Sequence, residues 1–230
     1  MNFPGGCGIC LCCVLRIDLF WVKTFRFIFK PIFKILFRPT IINAEYIPTS
    51  CSAIIAGNHK HALDPILVDI CTKRVVFTLA KKSLHEGKFG FFFKTVGSIP
   101  IDTKGGNNKD AKNEAVEKLK EGNLINISPE GTRNKTNKLL LPFKYGAVSI
   151  ASKANSVIVP YSITGEYKLF SNNLKIVFSK PIKITDIEKT NEKLFNTIKK
   201  LMITNMDKNE LKTKEINNYI GGRSEKRKNS

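Results

Sequence analysis

The hydrophobic pattern changes character near residue 50. Before it, large apolar side chains and cations are interleaved; after it, short apolar runs alternate with stretches of helical period. Ser52-Ala-Ile-Ile-Ala-Gly57 is an unbroken apolar run ending in glycine, the pattern of a strand buried on both faces. Asp64 to Cys71 reads as a helix with Pro65 in its first turn, where a missing N–H costs nothing. Val75 to Ala80 reads as a strand, Lys82 to Val96 as a helix interrupted by Gly87 and Gly90, and Ser98 to Asp102 as another strand. After a turn at Gly105 to Asn108, Lys109 to Glu121 is an amphipathic helix with Ala111, Ala115, Val116 and Leu119 on one face. Strands over Asn123–Ser128, Val157–Ile163 and Leu174–Ser179 and helices over Phe143–Lys153 and Asn191–Met206 complete the series. Strands alternating with helices predict an α/β fold: a mixed, mostly parallel sheet covered by helices on both faces.

The first 40 residues follow another logic. Between Val14 and Arg38 lie Phe20, Trp21, Phe25, Phe27, Phe29, Phe33 and Phe37, together with the cations Arg16, Lys23, Arg26, Lys30, Lys34 and Arg38. At about 100° per residue those cations share roughly a third of a helical circumference. Pro31 is expected to kink or divide the helix. A wide aromatic face beside a narrow cationic stripe suits the boundary between acyl chains and anionic head groups; the plainer alternative is a core helix with a lysine edge. The uncharged run Met1–Leu15 is shorter than the ~20 apolar residues of a spanning helix, and it lacks the flanks of a signal peptide. The expected organisation is therefore a membrane-associated helical segment over 1–40, a folded domain over 41–220 and a basic, disordered tail over 221–230. The expected location is the cytoplasmic face of a membrane, held peripherally or monotopically.

Charge sharpens this picture. Among 230 residues, 38 Lys and Arg oppose 19 Asp and Glu, a formal net charge of +19. Such a surface attracts polyanions: nucleic acid, anionic lipid or phosphorylated substrates. No helix-turn-helix, zinc-finger or RNA-binding aromatic motif occurs, so nucleic acid is not the expected partner. Of six cysteines, Cys7, Cys10, Cys12 and Cys13 crowd the amino terminus, while Cys51 and Cys71 fall in segments that read as core. This is the usage of a reduced, cytosolic protein. Cys10-Leu11-Cys12-Cys13 is too compressed for paired zinc knuckles, so no metal is expected.

Candidate chemistry lies where strands turn into helices. His59 and Asp64 stand five apart in Gly57-Asn58-His59-Lys60-His61-Ala62-Leu63-Asp64-Pro65. Across such a turn the carboxylate can fold back onto an imidazole nitrogen, giving a general base with its orienting acid. No Gly-x-Ser-x-Gly supplies a nucleophile, so His59 is expected to activate a hydroxyl of the substrate. A second cluster, Asn126-Ile127-Ser128-Pro129-Glu130-Gly131-Thr132-Arg133, also follows a strand. Arg133 suits a bidentate phosphate clamp. Glu130 could receive a hydroxyl or anchor Arg133.

Together these blocks resemble the glycerolipid acyltransferase family, particularly its 1-acylglycerol-3-phosphate acyltransferases. Asn58, His59 and Asp64 match an Asn-His-x4-Asp block, and Pro129 to Arg133 match Pro-Glu-Gly-Thr-Arg in full. Phe143, Lys144, Gly146 and Ala147 match a Phe-Lys-x-Gly-Ala segment, and Val159 and Pro160 a Val-Pro strand. The resemblance implies transfer of a fatty acyl group from acyl-CoA or acyl carrier protein to the free hydroxyl of lysophosphatidic acid. It implies no cofactor beyond that thioester co-substrate, and membrane lipids as partners. It casts His59 and Asp64 as catalytic, with backbone amides near the His59 turn as candidates to hold the oxyanion. Asn58, Lys104, Glu130, Gly131, Thr132, Arg133 and Lys144 are cast as substrate-binding. Two departures bear on the acceptor. In Gly97-Ser-Ile-Pro-Ile-Asp102-Thr103-Lys104, Thr103 stands where the family pattern has arginine, and His61 occupies a position that is often serine. Glycerol 3-phosphate or another lyso-lipid is thus an alternative acceptor. The rival of a different class is a non-enzymatic basic protein that binds anionic membranes or nucleic acid without acyl transfer.

Overall fold

The computed structural model describes residues 27–86, 97–102, 108–207 and 211–212. The chain runs α1 (residues 27–37), β1 (Thr40–Ile42), a 3-10 turn, β2 (Ala53–Gly57), α2 (Asp64–Ile70), β3 (Val76–Lys81), α3 (Lys82–His85) and β4 (Ser98–Ile101). It continues through α4 (Lys109–Lys120), β5 (Leu124–Ile127), α5 (Gly146–Lys153), β6 (Val157–Thr164), β7 (Lys175–Phe178) and α6 (Ile187–Asn205).

Seven strands form one sheet in the order β1-β7-β6-β2-β5-β3-β4. The five from β6 to β4 are parallel. β7 turns back antiparallel to β6, and β1 runs parallel to β7 at the edge. Alternation along each strand feeds two cores. From β2, Ile54 and Ala56 meet α4, α5 and α6, whereas Ala53 and Ile55 meet α1 and α2. Every residue of β2 is buried, which is why it reads as a continuous apolar run. α4 buries Ala111, Ala115, Val116 and Leu119, the four the periodicity selects.

Several boundaries differ from expectation. β1 is unforeseen; three residues carry no readable period, and pairing with β7 creates the strand. α5 begins at Gly146 rather than Phe143 because the Lys144 N–H is drawn to the Pro129 carbonyl at 2.8 Å. α6 begins at Ile187 rather than Asn191, since Asp186 caps it by accepting from the Lys189 N–H at 2.8 Å. Pro31 does not divide α1: the carbonyl its ring leaves unpaired belongs to Phe27, which is 83% exposed. Cys51 is exposed rather than in the core, and Cys51 and Cys71 are both free thiols. Residues 1–26 and 213–230, and with them the four clustered cysteines and the basic tail, lie outside the described residues.

Parallel strands deliver their carboxyl ends to one edge of the sheet. β2 and β5 are neighbours, with Ala56 opposite Ile127. From β2 the chain crosses through α2 to β3 on one side; from β5 it crosses through α5 to β6 on the other. That reversal opens a crevice at the strand ends, the usual place for a ligand in such sheets.

Candidate active site

β2 ends at Gly57, where a β-carbon would lie 2.4 Å from the Tyr161 ring, so a larger residue would displace that buried ring. The next residue, Asn58, is buried, and both ends of its amide engage Ile163 of β6. Its Nδ2 donates to the carbonyl at 2.9 Å and its Oδ1 accepts from the N–H at 2.7 Å. Asn58 thus behaves as an added rung between β2 and β6 and fixes where the following turn begins.

That turn carries His59, whose Nδ1 lies 2.7 Å from Asp64 Oδ2. The same Asp64 oxygen accepts from the backbone N–H groups of Lys60 at 2.8 Å and His61 at 2.9 Å. Asp64 Oδ1 accepts from the Tyr167 hydroxyl at 2.6 Å. The Asp64 side chain is 2% exposed and that of His59 24%. Four hydrogen bonds converge on this one buried carboxylate and lock its rotamer. The Nδ1–H tautomer of His59 matches the contact and leaves the Nε2 lone pair available as an acceptor. Among the described residues Nε2 has no hydrogen-bond partner.

Glu130 arrives from the end of β5 and is 3% exposed. Its Oε1 accepts from the His59 N–H at 2.9 Å and its Oε2 from the Leu141 N–H at 2.8 Å. The Asn134 N–H donates to the His59 carbonyl at 2.7 Å. The second motif therefore clamps the backbone of the first on both sides of the imidazole. The amides of His59, Lys60 and His61 are occupied by Glu130 and Asp64, so these three do not stand open for an oxyanion. Gly131 takes φ +68°, and a β-carbon there would lie 3.0 Å from Lys144 Cε and Nζ. That backbone favours glycine, whereas the flexible Lys144 side chain could move aside.

Thr132, Arg133 and Lys144 are exposed around this buried centre. Arg133 leaves the chain one residue before Asn134, which bonds the His59 carbonyl. Lys60 turns its ammonium to the Gly165 carbonyl. Thr103 and Lys104 lie outside the described residues. Among the described residues no group of three histidine, cysteine or carboxylate side chains could hold a metal ion.

Tyr167 has no counterpart in the sequence reading. It reaches Asp64 from the loop between β6 and β7, 103 residues away. Its ring stacks on His61 with centroids 4.5 Å apart and meets Phe37 of α1 edge-on at 5.9 Å. Burial first, and then the Asp64 carboxylate, hold its hydroxyl well above the usual phenol range, so it remains a donor at any working pH. The signal that could have found it is faint: one tyrosine in a short loop that follows the Val-Pro strand.

Comparison with known proteins accords with this geometry. A sequence model described as Acyltransferase matches residues 38–164, more than half of the chain, and spans both motifs. The chain belongs to the acyltransferase family. It is 28% identical over 152 residues to the 1-acyl-sn-glycerol-3-phosphate acyltransferase of Bacillus subtilis, covering 64% of this chain and 74% of that protein. A Helicobacter pylori protein of the same name is 33% identical over 140 residues, 59% of each chain. The chain thus spans three quarters of one relative and less than two thirds of the other. The crystal structure of the 1-acyl-sn-glycerophosphate (LPA) acyltransferase PlsC from Thermotoga maritima superposes with a TM-score of 0.60. At 20% identity over 78% of this chain and 76% of that one, this likeness speaks for the fold.

Proposed function

We propose that this chain transfers a fatty acyl group from a thioester to the free hydroxyl of lysophosphatidic acid, giving phosphatidic acid. The observation that carries the chemistry is the 2.7 Å contact from His59 Nδ1 to a buried Asp64 that accepts three further hydrogen bonds. The name shared by the Bacillus and Helicobacter relatives supports the acceptor.

His59 Nε2 removes the proton from the acceptor hydroxyl as its oxygen attacks the thioester carbonyl. Asp64 stabilises the imidazolium that forms. The tetrahedral intermediate collapses, the C–S bond breaks, and the thiolate takes the proton back from His59. Acyl and proton balance without a covalent enzyme intermediate. Glu130 holds the His59 backbone through both halves of the reaction. Arg133 and Lys144, exposed beside the dyad, bind the acceptor phosphate together with Lys104 and Thr132.

The donor is acyl-CoA or acyl carrier protein; both are acidic and suit a chain of net charge +19. No helix among the described residues is long and apolar enough to cross a membrane. The outward face of α1, where Phe27 is 83% and Ile35 63% exposed, supports a position on the bilayer surface. Lys30, expected in the cationic stripe at the head groups, turns inward to the Thr72 carbonyl and Asp69, while Lys34 and Arg38 are exposed. The protein then works as a peripheral or monotopic enzyme of the cytoplasmic leaflet.

Product identification by mass spectrometry tests the acceptor. Purified protein is offered each donor with lysophosphatidic acid, glycerol 3-phosphate or lysophosphatidylethanolamine. Phosphatidic acid formed at least about tenfold faster than any other product is expected, on the strength of the charged phosphate contacts. Preferential acylation of glycerol 3-phosphate would replace the acceptor and keep the mechanism.

A further inference from the structure

α1 has two apolar faces. Phe33 and Phe37 pack inward against Tyr167. Phe27, Ile28, Ile32 and Ile35 point outward and are each about half exposed or more. At about 100° per residue these four span roughly 140° of the helix, with Lys34 at one border; Arg38 follows just past the helix end.

A second apolar surface adjoins this one. In the loop between β6 and β7, Leu169 is 55% and Phe170 59% exposed. The Phe170 N–H donates to the Leu36 carbonyl at 2.6 Å, and the Arg38 guanidinium lies 5.8 Å from the Phe170 ring centroid. Among the described residues four non-glycines have positive φ, and two of them are this touching pair, Arg38 at 41° and Phe170 at 56°. A left-handed backbone disfavours a bulky aromatic; glycine or asparagine would adopt it at lower cost. A half-exposed phenylalanine returns little of that cost through core packing. Within the fold the reason on view for an aromatic side chain at 170 is the exposed Arg38 guanidinium over its ring, a weak return for that backbone.

We propose that Leu169 and Phe170 are a second bilayer contact, a wedge that inserts beside α1 into a membrane containing anionic lipid. The reasons are continuity with the outward face of α1, the flanking cations Lys34, Arg38 and Lys168, and an aromatic kept where the backbone disfavours it. Glu166 is the one acid in this loop. Two residues before the wedge, Tyr167 holds Asp64. Insertion of the tip therefore sets the height and tilt of the dyad over the surface from which a lipid acceptor is drawn. This inference rests on the membrane placement of α1 proposed above and adds a second point, which together with the helix defines an orientation.

The test is sedimentation of the full chain with vesicles of phosphatidylcholine containing about a third phosphatidylglycerol, alongside thermal melting. Phe170→Asn and Leu169→Ser are compared with Ile35→Ser on α1. The combined loop variant should lower the vesicle partition coefficient about tenfold or more, since two large apolar side chains leave the lipid. Phe170→Asn should keep the melting temperature or raise it by about 1–3 °C, because it relieves the backbone. Turnover of a short-chain acceptor below its micellar concentration should not change. Unchanged partitioning of the loop variants while Ile35→Ser dissociates would sink the wedge and leave α1 as the anchor. If Ile35→Ser also binds normally, the membrane placement of α1 fails with it. A melting temperature that drops in both loop variants would make these residues structural and overturn the proposal. Equal binding to neutral vesicles would remove the role given to the cations.

Discussion

The dyad turn and the outer surface of α1 with its neighbouring loop lie on either side of Tyr167 and are built on opposite rules. At the turn, Asp64 and Glu130 are almost fully buried, and each carboxylate oxygen accepts at least one hydrogen bond. On the outer surface, Phe27, Ile35, Leu169 and Phe170 are exposed. A general base gains from having its geometry fixed before substrate arrives. A lipid contact gains from leaving its apolar area uncovered until a membrane covers it. Substitutions in the first region should therefore act on turnover and folding, and those in the second on partitioning.

The largest break in that contrast is Asp64→Asn. It removes the charge that stabilises imidazolium and permits the wrong tautomer, so kcat/KM should fall on the order of 10³-fold or more. Thermal melting should show a folded protein; a fall below tenfold would mean His59 needs no acid partner. Glu130→Ala comes next. It leaves the His59 and Leu141 N–H groups without their acceptor, costing about 2–4 kcal/mol of stability, with Glu130→Gln recovering part. Denaturant titration reads this, and a change within about 0.5 kcal/mol, the range typical of surface substitutions, would contradict the clamp.

Arg133→Ala should raise KM for a phosphate-bearing acceptor by about 10- to 100-fold with little change in kcat or melting temperature, since the residue is exposed. Equal effects on an acceptor lacking phosphate would move Arg133 out of that role. Tyr167→Phe should cost about three- to tenfold. Its signature is a loss in kcat with KM and melting temperature little changed, since only the hydroxyl that holds Asp64 is removed. A loss that tracks a fall in melting temperature would make Tyr167 structural only.

The smallest effect concerns Cys71. Burial pushes its thiol from 9.0 up to about 12. Above pH 9 the unfolded chain loses this proton while the folded chain keeps it, so stability falls as pH rises from 9 to 12. Cys71→Ala should flatten the first part of that decline in melting temperature; an unaltered slope would show that the thiol does not contribute.

The sheet was legible because buried parallel strands are plain apolar runs, and the α4 face because its period is intact over 12 residues. β1 was not, since three residues at an edge are defined by their partner. The starts of α5 and α6 depended on one N–H drawn to Pro129 and one aspartate cap. Within the site, the pairing of His59 with Asp64 followed from five residues of spacing. The grip of Glu130 on the His59 backbone spans 71 residues and that of Tyr167 on Asp64 spans 103. Such contacts exist only once β2, β5 and β6 lie side by side, so no local pattern could announce them. The resemblance also offered the turn amides for an oxyanion, and the fold commits three of them, at His59, Lys60 and His61, to Glu130 and Asp64.

The central claim is that His59 is the base for acyl transfer to a hydroxyl of the acceptor. The most direct measurement is thiol release from a long-chain acyl thioester, with and without lysophosphatidic acid, for the wild-type chain and His59→Ala. Release that requires the acceptor and falls by about 10³-fold or more in a normally folded His59→Ala protein is the predicted result. Acceptor-dependent release that persists in His59→Ala would contradict the account.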